Sequence, residues 1–174
     1  MKKRRVSFQG FTLLELLTVV LIVGLLSAIS APIGFRLLER ARVTQSRDEA
    51  YSAIRKAQRT AQQESTSWQF AIRYRDDKVE WATYSVSSSG LSANWQTLGN
   101  QSLRIDEETN LAEAGGLYYV RFDERGNVEY RLGRVTFSSE HFPEIKRCVV
   151  VSTLIGAMRK SKEQPFPHDD KLCY

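Results

Sequence analysis

The chain has few of the residues from which metal centres and disulfide-rich scaffolds are built. Its 174 residues include only two histidines, His141 and His168, and two cysteines. The histidines lie far apart in the sequence and form no compact ligand motif, which argues against a metal site. The sequence also has no phosphate loop, nucleophile elbow, dinucleotide fingerprint or zinc-hydrolase helix. We therefore expect no enzyme, no cofactor and no metal, and we assign no catalytic residue.

Acidic residues are missing from the first ten positions, although the chain as a whole is mixed in charge. It carries 25 Lys and Arg against 20 Asp and Glu, a formal net charge of +5. Without the four basic residues at positions 2–5, 21 basic residues remain against 20 acidic ones. The net charge therefore does not by itself predict a nucleic-acid partner. With 42% hydrophobic residues, the chain can bury a core, so we expect one domain with an appendage.

Only one long apolar run is present, FTLLELLTVVLIVGLLSAISA at residues 11–31. About 20 apolar helical residues cross the hydrocarbon core of a bilayer, so this run predicts a membrane-spanning helix. Basic residues before the run and none within it place the amino terminus in the cytoplasm and the rest of the chain outside. The alternative is an ordinary secretory signal, because Ala28, Ser30 and Ala31 resemble its cleavage site.

Two features count against an ordinary signal. Glu15 stands inside the apolar run, where a carboxylate costs up to about 3 kcal/mol at mid-bilayer. Pro32 directly follows the small residues, which is a poor context for signal peptidase. Gly10, at the boundary between the basic leader and the apolar run, is a better position for cleavage because it has no side chain to obstruct a protease groove.

The segment Gly10-Phe11-Thr12-Leu13-Leu14-Glu15 resembles the processing motif of type IV prepilins and type II secretion pseudopilins. The resemblance implies that a membrane-embedded aspartyl peptidase cuts between Gly10 and Phe11 and methylates the new amino terminus of Phe11. The apolar helix then stays attached to the mature chain. It also implies that Glu15 pairs with the amino terminus of a neighbouring subunit during assembly.

The helix is expected to continue beyond the apolar run, with weak points at Gly24 and Pro32, where it can kink. Three- and four-residue spacing through residues 36–63 predicts an amphipathic continuation. Its predicted apolar stripe consists of Leu37, Leu38, Ala41, Ala50, Ile54, Ala57 and Ala61. Basic residues outnumber acidic ones on this helix, which indicates a solvated face or contacts with lipid headgroups or acidic neighbours.

The rest of the chain predicts a β-rich head. Alternating aromatic and β-branched residues indicate strands at residues 68–74, 79–86, 117–122, 128–132, 134–138 and 147–152. Polar turns at 75–78 and 123–127 favour hairpins. Residues 87–116 read as a loop region in which only 102–105 suggests a strand.

The predicted fold class is therefore α+β and type IV pilin-like, with a long N-terminal helix packed on a C-terminal antiparallel β-sheet. Its expected segments are a cleaved leader (1–10), a transmembrane and assembly helix (11–35), an amphipathic continuation (36–63) and a globular head (64–174).

A second resemblance concerns the head. The FDERGN turn and the CVVVSTLIGAMRKSK hairpin look like patterns of the GspH/FimT-type minor pseudopilins. This implies a minor pilin or pseudopilin in the inner membrane that assembles into, or primes, a type IV pilus or a type II secretion pseudopilus. Its partners would be other pilins or pseudopilins, through the N-terminal helix, and the prepilin peptidase.

Five basic residues gather near the carboxy-terminal hairpin: Lys146, Arg147, Arg159, Lys160 and Lys162. Some members of this family bind DNA through a Gly-Arg-x-Arg stretch here, so a DNA-binding minor pilin for natural transformation is the first alternative function. A signal-anchored extracytoplasmic enzyme is the second. This chain departs from the Gly-Arg-x-Arg pattern, because Ala157 rather than arginine follows Gly156. A solvated basic edge or a protein contact is preferred.

Cys148 and Cys173 allow one disulfide. An oxidised pair persists outside the cytoplasm, where the head is expected, and would stabilise it by about 3 kcal/mol. Alternatively, Cys148 is simply a buried thiol in an apolar strand.

Overall fold

The structure is a computed structural model that describes residues 10–88, 90 and 93–174. The predicted basic leader, apart from Gly10, lies outside the described residues. The chain divides into two compact units, Met1–Leu37 and Leu38–Tyr174. One long helix, α1 (Leu13–Glu64), contributes residues to both.

In the first unit, α1 begins directly after Thr12. The Glu15 backbone N–H donates to Thr12 Oγ1 at 3.2 Å, so the threonine caps the helix. The most apolar 18-residue window has a mean hydropathy of 2.5 and is not buried, and by length and composition the helix can cross a membrane. Pro32 lies inside α1 without ending it, and the kink at Gly24 and Pro32 stays a prediction.

In the second unit, α1 presents a stripe of small and polar side chains to the sheets. The buried residues are Glu39, Val43, Ser46, Ala50, Ala53, Ile54, Ala57, Gln58 and Ala61. The amino-terminal part of the predicted stripe is wrong, since Leu37 is 67% exposed, Leu38 is 54% exposed and Ala41 is also exposed. Counting back along α1 from Ala50 by four, then three, then four residues gives Ser46, Val43 and Glu39. Two of these positions are polar, so a search for apolar residues at helical spacing could not include them.

In the described residues, ten strands follow α1. In chain order they are β1 (Trp68–Arg75), β2 (Lys78–Ser85), β3 (Gln96–Leu98), β4 (Leu103–Ile105), β5 (Ala112–Ala114), β6 (Leu117–Phe122), β7 (Gly133–Ser139), β8 (Lys146–Val151), β9 (Met158–His168) and β10 (Lys171–Cys173). They form two five-stranded sheets, ordered β3-β2-β1-β6-β5 and β10-β9-β8-β7-β4, and every pairing is antiparallel. The α+β class is confirmed.

Side chains from both sheets and from α1 share one core. Ile54 of α1 is clustered with Phe70 and Ile72 of β1 and with Phe137 and Val149 of the other sheet, all fully buried. Burying each such side chain contributes about 1.5–3 kcal/mol. The alanines of α1 leave room for this close approach because they add almost no bulk.

Three sequence predictions about the strands fail. Residues 128–132 are not a strand: only Val128 pairs, in an isolated bridge to Phe122, and Tyr130 has a φ of 68° that breaks the extended chain. The region 87–116 contains β3 and β5 as well as β4. The strands predicted from alternation end at residue 152, whereas β9 and β10 follow in the structure, and the strands form two antiparallel sheets instead of one.

Two loops of the head are fixed on α1 by one buried side chain. Gln58 Nε2 donates to Gly126 O at 2.9 Å and lies 3.3 Å from Gly156 O. Both glycines are left-handed, with φ values of 79° and 75°. They therefore combine a backbone conformation that side chains disfavour with a close approach to the helix.

Replacing Gly156 by alanine should destabilise the head more than the matched change at Gly115. Both residues have positive φ, 75° and 59°, but only at Gly156 would a Cβ overlap Gln58 Nε2 and lie 2.9 Å from Gly126 O; at Gly115 it would meet nothing within 4 Å. We expect Gly156→Ala to lower the free energy of unfolding by about 1–3 kcal/mol more than Gly115→Ala. Urea denaturation of the full chain in detergent, followed by tryptophan fluorescence, measures both, and equal losses would contradict the packing described.

Candidate functional site

The residues at the start of α1 form an exposed junction. Gly10, Phe11 and Thr12 precede the helix, and Phe11 is 78% exposed. Among the described residues other than its chain neighbours, no atom lies within 4 Å of where a Cβ on Gly10 would stand. Gly10 and Phe11 are therefore non-helical, which is the state that a protease needs in its substrate.

Glu15 lies in the first turn of α1, three residues after its capping threonine. Its carboxylate is exposed and has no ion-pair partner among residues 10–88, 90 and 93–174. The neighbouring Leu14 and Leu16 are exposed as well. The positive end of the helix dipole favours a carboxylate here, but by only about 0.3–1 kcal/mol, which is less than the cost of a lone charge in lipid.

Comparison with known families bears on this segment. The prokaryotic N-terminal methylation motif matches residues 5–31, which include Gly10, Phe11, Glu15 and most of the apolar run. The chain carries a type IV pilin-like methylation motif. The fold is consistent with it, since a long N-terminal helix packs on antiparallel sheets in type IV pilin-like proteins. This motif belongs to structural subunits rather than enzymes. No curated protein and no solved structure matches the chain.

The structure does not gather the five predicted basic residues into one open patch. Lys146 Nζ lies 2.9 Å from both Asp106 Oδ1 and Glu108 Oε1. Burial alone would lower the pKa of Lys146, but these two carboxylates outweigh it and raise the pKa above its ordinary value. Lys146 is therefore paired with carboxylates of the head itself.

Two more of these basic residues also have acidic partners. Arg147 forms an ion pair with Glu163, and Lys160 Nζ lies 3.1 Å from Asp48 Oδ1. Arg159 and Lys162 are exposed and have no acidic partner in the part of the chain that the structure describes. Three of the five cations are thus engaged in the head itself.

Cys148 and Cys173 form a disulfide that joins β8 to β10, with 6.2 Å between their Cα atoms. Both are fully buried. Glu108 reinforces the same strand, because its carboxylate accepts the N–H groups of Leu172 and Cys173 at 3.0 Å. The carboxy-terminal strand is therefore held by a covalent bond and by a carboxylate.

Sequence reasoning missed the buried carboxylate of Glu39. This side chain is on α1 and is 5% exposed. Its Oε2 accepts from Ser139 Oγ at 2.8 Å and from Ser102 Oγ at 3.0 Å, while Oε1 accepts from Arg42 Nη1 at 2.7 Å. It thus attaches the helix to one end of the β4–β7 pair, where Ser102 directly precedes β4 and Ser139 ends β7. The only sequence signal was its spacing of four residues before Val43 and seven before Ser46.

The hydrogen bonds of Glu39 predict an acid-sensitive contribution to stability. Burial alone would raise its pKa, but the bonds from Ser139, Arg42 and Ser102 outweigh burial and hold the pKa below its ordinary value. Such a carboxyl stabilises the fold above its unfolded-state pKa, and the contribution is lost as the pH falls through its folded-state pKa. The free energy of unfolding should therefore drop below about pH 5 more steeply in the wild type than in Glu39→Gln.

At pH 7, Glu39→Gln should also be less stable by about 1–3 kcal/mol, because the charge-assisted hydrogen bonds are lost. Glu113→Gln, on the exposed edge strand β5, is the matched control and should leave both quantities unchanged. Urea denaturation at a series of pH values measures them. Superimposable profiles for the wild type and Glu39→Gln would show that the carboxylate does not hold the head to α1.

Proposed function

We propose that this chain is a minor subunit of a type IV pilus or a type II secretion pseudopilus. It is anchored in the inner membrane by a single pass of its apolar helix, with the head on the far side, and it assembles into or primes the filament. One observation supports this most strongly: within the matched methylation motif, an exposed cleavage junction stands directly before a helix whose first turn carries an unpartnered carboxylate.

Processing creates the partner that this carboxylate lacks. Cleavage between Gly10 and Phe11 leaves a new α-amine on Phe11, which is then methylated. An α-amine has an ordinary pKa of about 8, so it is mostly charged at neutral pH. In the low dielectric of the bilayer, the ammonium of one subunit and the Glu15 carboxylate of its neighbour attract strongly, and pairing offsets the cost of keeping either charge in lipid.

The head supports a minor rather than a major subunit. The FDERGN turn and the CVVVSTLIGAMRKSK hairpin are the two patterns that resemble minor pseudopilins, and both contact Gln58 of α1. Gln62 Nε2 donates to Arg125 O at 2.9 Å, next to the contacts that Gln58 makes with Gly126 and Gly156. The two patterns therefore form one structural unit.

The alternative of a DNA-binding minor pilin for natural transformation is less well supported. Salt-dependent, sequence-independent affinity for DNA grows with the number of phosphates that lysines and arginines neutralise. Lys146, Arg147 and Lys160 are already paired with carboxylates, which leaves Arg159 and Lys162 of the predicted set.

Replacing Gly10 by valine should block processing. A branched side chain at this position obstructs the protease groove, so the chain should keep its leader, whereas the wild type should begin at Phe11 and carry one added methyl group. Gly34→Ala is the matched control, because a Cβ there meets nothing within 4 Å. Intact-mass spectrometry of chains purified from membranes distinguishes these products. A wild-type product that begins beyond Ala28, or retains residue 1, would refute the proposal.

A further inference from the structure

An open groove on the exposed face of α1 carries basic residues and no acidic ones. We call it the basic strip, and it is lined by Tyr51, Ser52, Arg55, Lys56, Arg59, Thr60 and Gln63. Three of these side chains are cationic and the others are neutral hydrogen-bonding groups. The strip therefore has a formal charge of +3 and suits a ligand with several anionic oxygens.

The strip is partly held in place before any ligand arrives. The Arg55 guanidinium lies 5.6 Å from the centre of the Tyr51 ring, and its Nη1 donates to Gln58 Oε1 at 3.1 Å. Lys160 Nζ lies 4.8 Å from the same ring centre. Lys56 and Arg59 are exposed and have no acidic partner among the described residues. Ordering of Arg55 lowers the entropy cost of binding an anion.

A second surface of the same head has the opposite charge. We call it the acidic edge, and it is lined by Asp106, Glu107, Glu108, Ser138, Pro143, Lys146, Asp169, Asp170 and Lys171. Its five acidic and two basic residues give a formal charge of −3. Lys146 pairs with Asp106 and Glu108, so Glu107, Asp169 and Asp170 remain at the surface.

The turn that presents two of these acids is well fixed. Asp169 and Asp170 connect β9 to β10 with left-handed φ values of 49° and 58°. The disulfide of Cys173 and the bonds from its backbone to Glu108 secure β10 directly after the turn. Both acids are therefore displayed on an anchored hairpin.

The two surfaces have opposite formal charges. They have no lining residue in common, and no ion pair joins them in the described part of the molecule. We propose that the basic strip of one subunit binds the acidic edge of a second copy of this chain. Such a contact uses two different surfaces, so it is heterologous rather than a two-fold contact of one surface with itself.

This inference rests on the proposed function. The ligand that it assigns to the basic strip is a second copy of this chain, and the competing ligands are a phosphate polymer or anionic lipid. A polyanion would use the basic strip alone, and the acidic edge would repel it. A second copy of this chain requires both surfaces. Reversing charge on the acidic edge therefore separates the two possibilities.

Zero-length carbodiimide crosslinking tests the contact, because it joins only lysines and carboxylates that touch. Full-length chain, half of it labelled with ¹⁵N, is reconstituted in neutral phosphatidylcholine vesicles. Mass spectrometry then measures the crosslink between Lys56 of one molecule and Glu107 of another. Arg59→Glu and, separately, Asp170→Lys should each lower its yield about fivefold, since each weakens the attraction while retaining both crosslinked residues. The matched controls Arg75→Glu and Glu113→Lys should not change it.

Three results would overturn the inference: no crosslink between Lys56 and Glu107 of different molecules, equal yields in the wild type and both test variants, or a loss in Arg59→Glu alone. Binding to phosphatidylglycerol vesicles or duplex DNA that depends on Arg59 but not on Asp170, without the crosslink, would assign the strip to a polyanion instead.

Intact mass of the same preparation separates this inference from the proposed function. A chain that begins at methylated Phe11 but lacks the crosslink refutes only the contact, and a crosslinked chain that keeps its leader when isolated from membranes refutes only the function.

Discussion

A carboxylate within an apolar helix needs a cation, and Glu15 has none in the described part of its own chain. The helix dipole at its position offsets only a fraction of the cost of placing the charge in lipid. Each molecule also carries, one turn earlier, the peptide bond whose cleavage would create such a cation. Because Gly10 and Phe11 lie outside α1, the bond proposed for cleavage and the acid proposed to pair with a neighbour belong to the same short segment.

In the second unit, buried polar side chains of α1 have their partners within the same chain. Glu39 and Gln58 are buried on α1, but their hydrogen-bonding atoms are satisfied by serines, an arginine and backbone carbonyls of the head. Buried polar groups with full sets of partners fix one arrangement of neighbouring elements, whereas an apolar stripe alone would tolerate sliding. The small alanines between them permit close packing of the sheets, and the disulfide from Cys148 to Cys173 secures the last strand.

Much of this organisation could be predicted from the sequence, but only where local signals are strong. The apolar run, the Gly10–Glu15 motif, the β1–β2 hairpin and the carboxy-terminal half of the α1 stripe follow from pattern and turn chemistry. The three-residue strands β3 and β5 are too short to show alternation of polar and apolar residues. The charged sequence of β9 shows no such alternation either, and this segment is a strand because it pairs with β8. Glu39 was missed because a charged residue in a core stripe is recognisable only once Ser102 and Ser139 are seen beside it. The partners of Lys146 are likewise distant in sequence.

The most direct measurement of the central claim is the amount of chain recovered in sheared filaments when Glu15 is replaced by alanine. The account predicts that Glu15→Ala is cleaved after Gly10 and remains in the membrane, yet is absent from filaments, while Glu113→Ala is incorporated as the wild type is. Recovery of Glu15→Ala in filaments at the wild-type level would show that no neighbouring amine depends on this carboxylate, and would contradict the account.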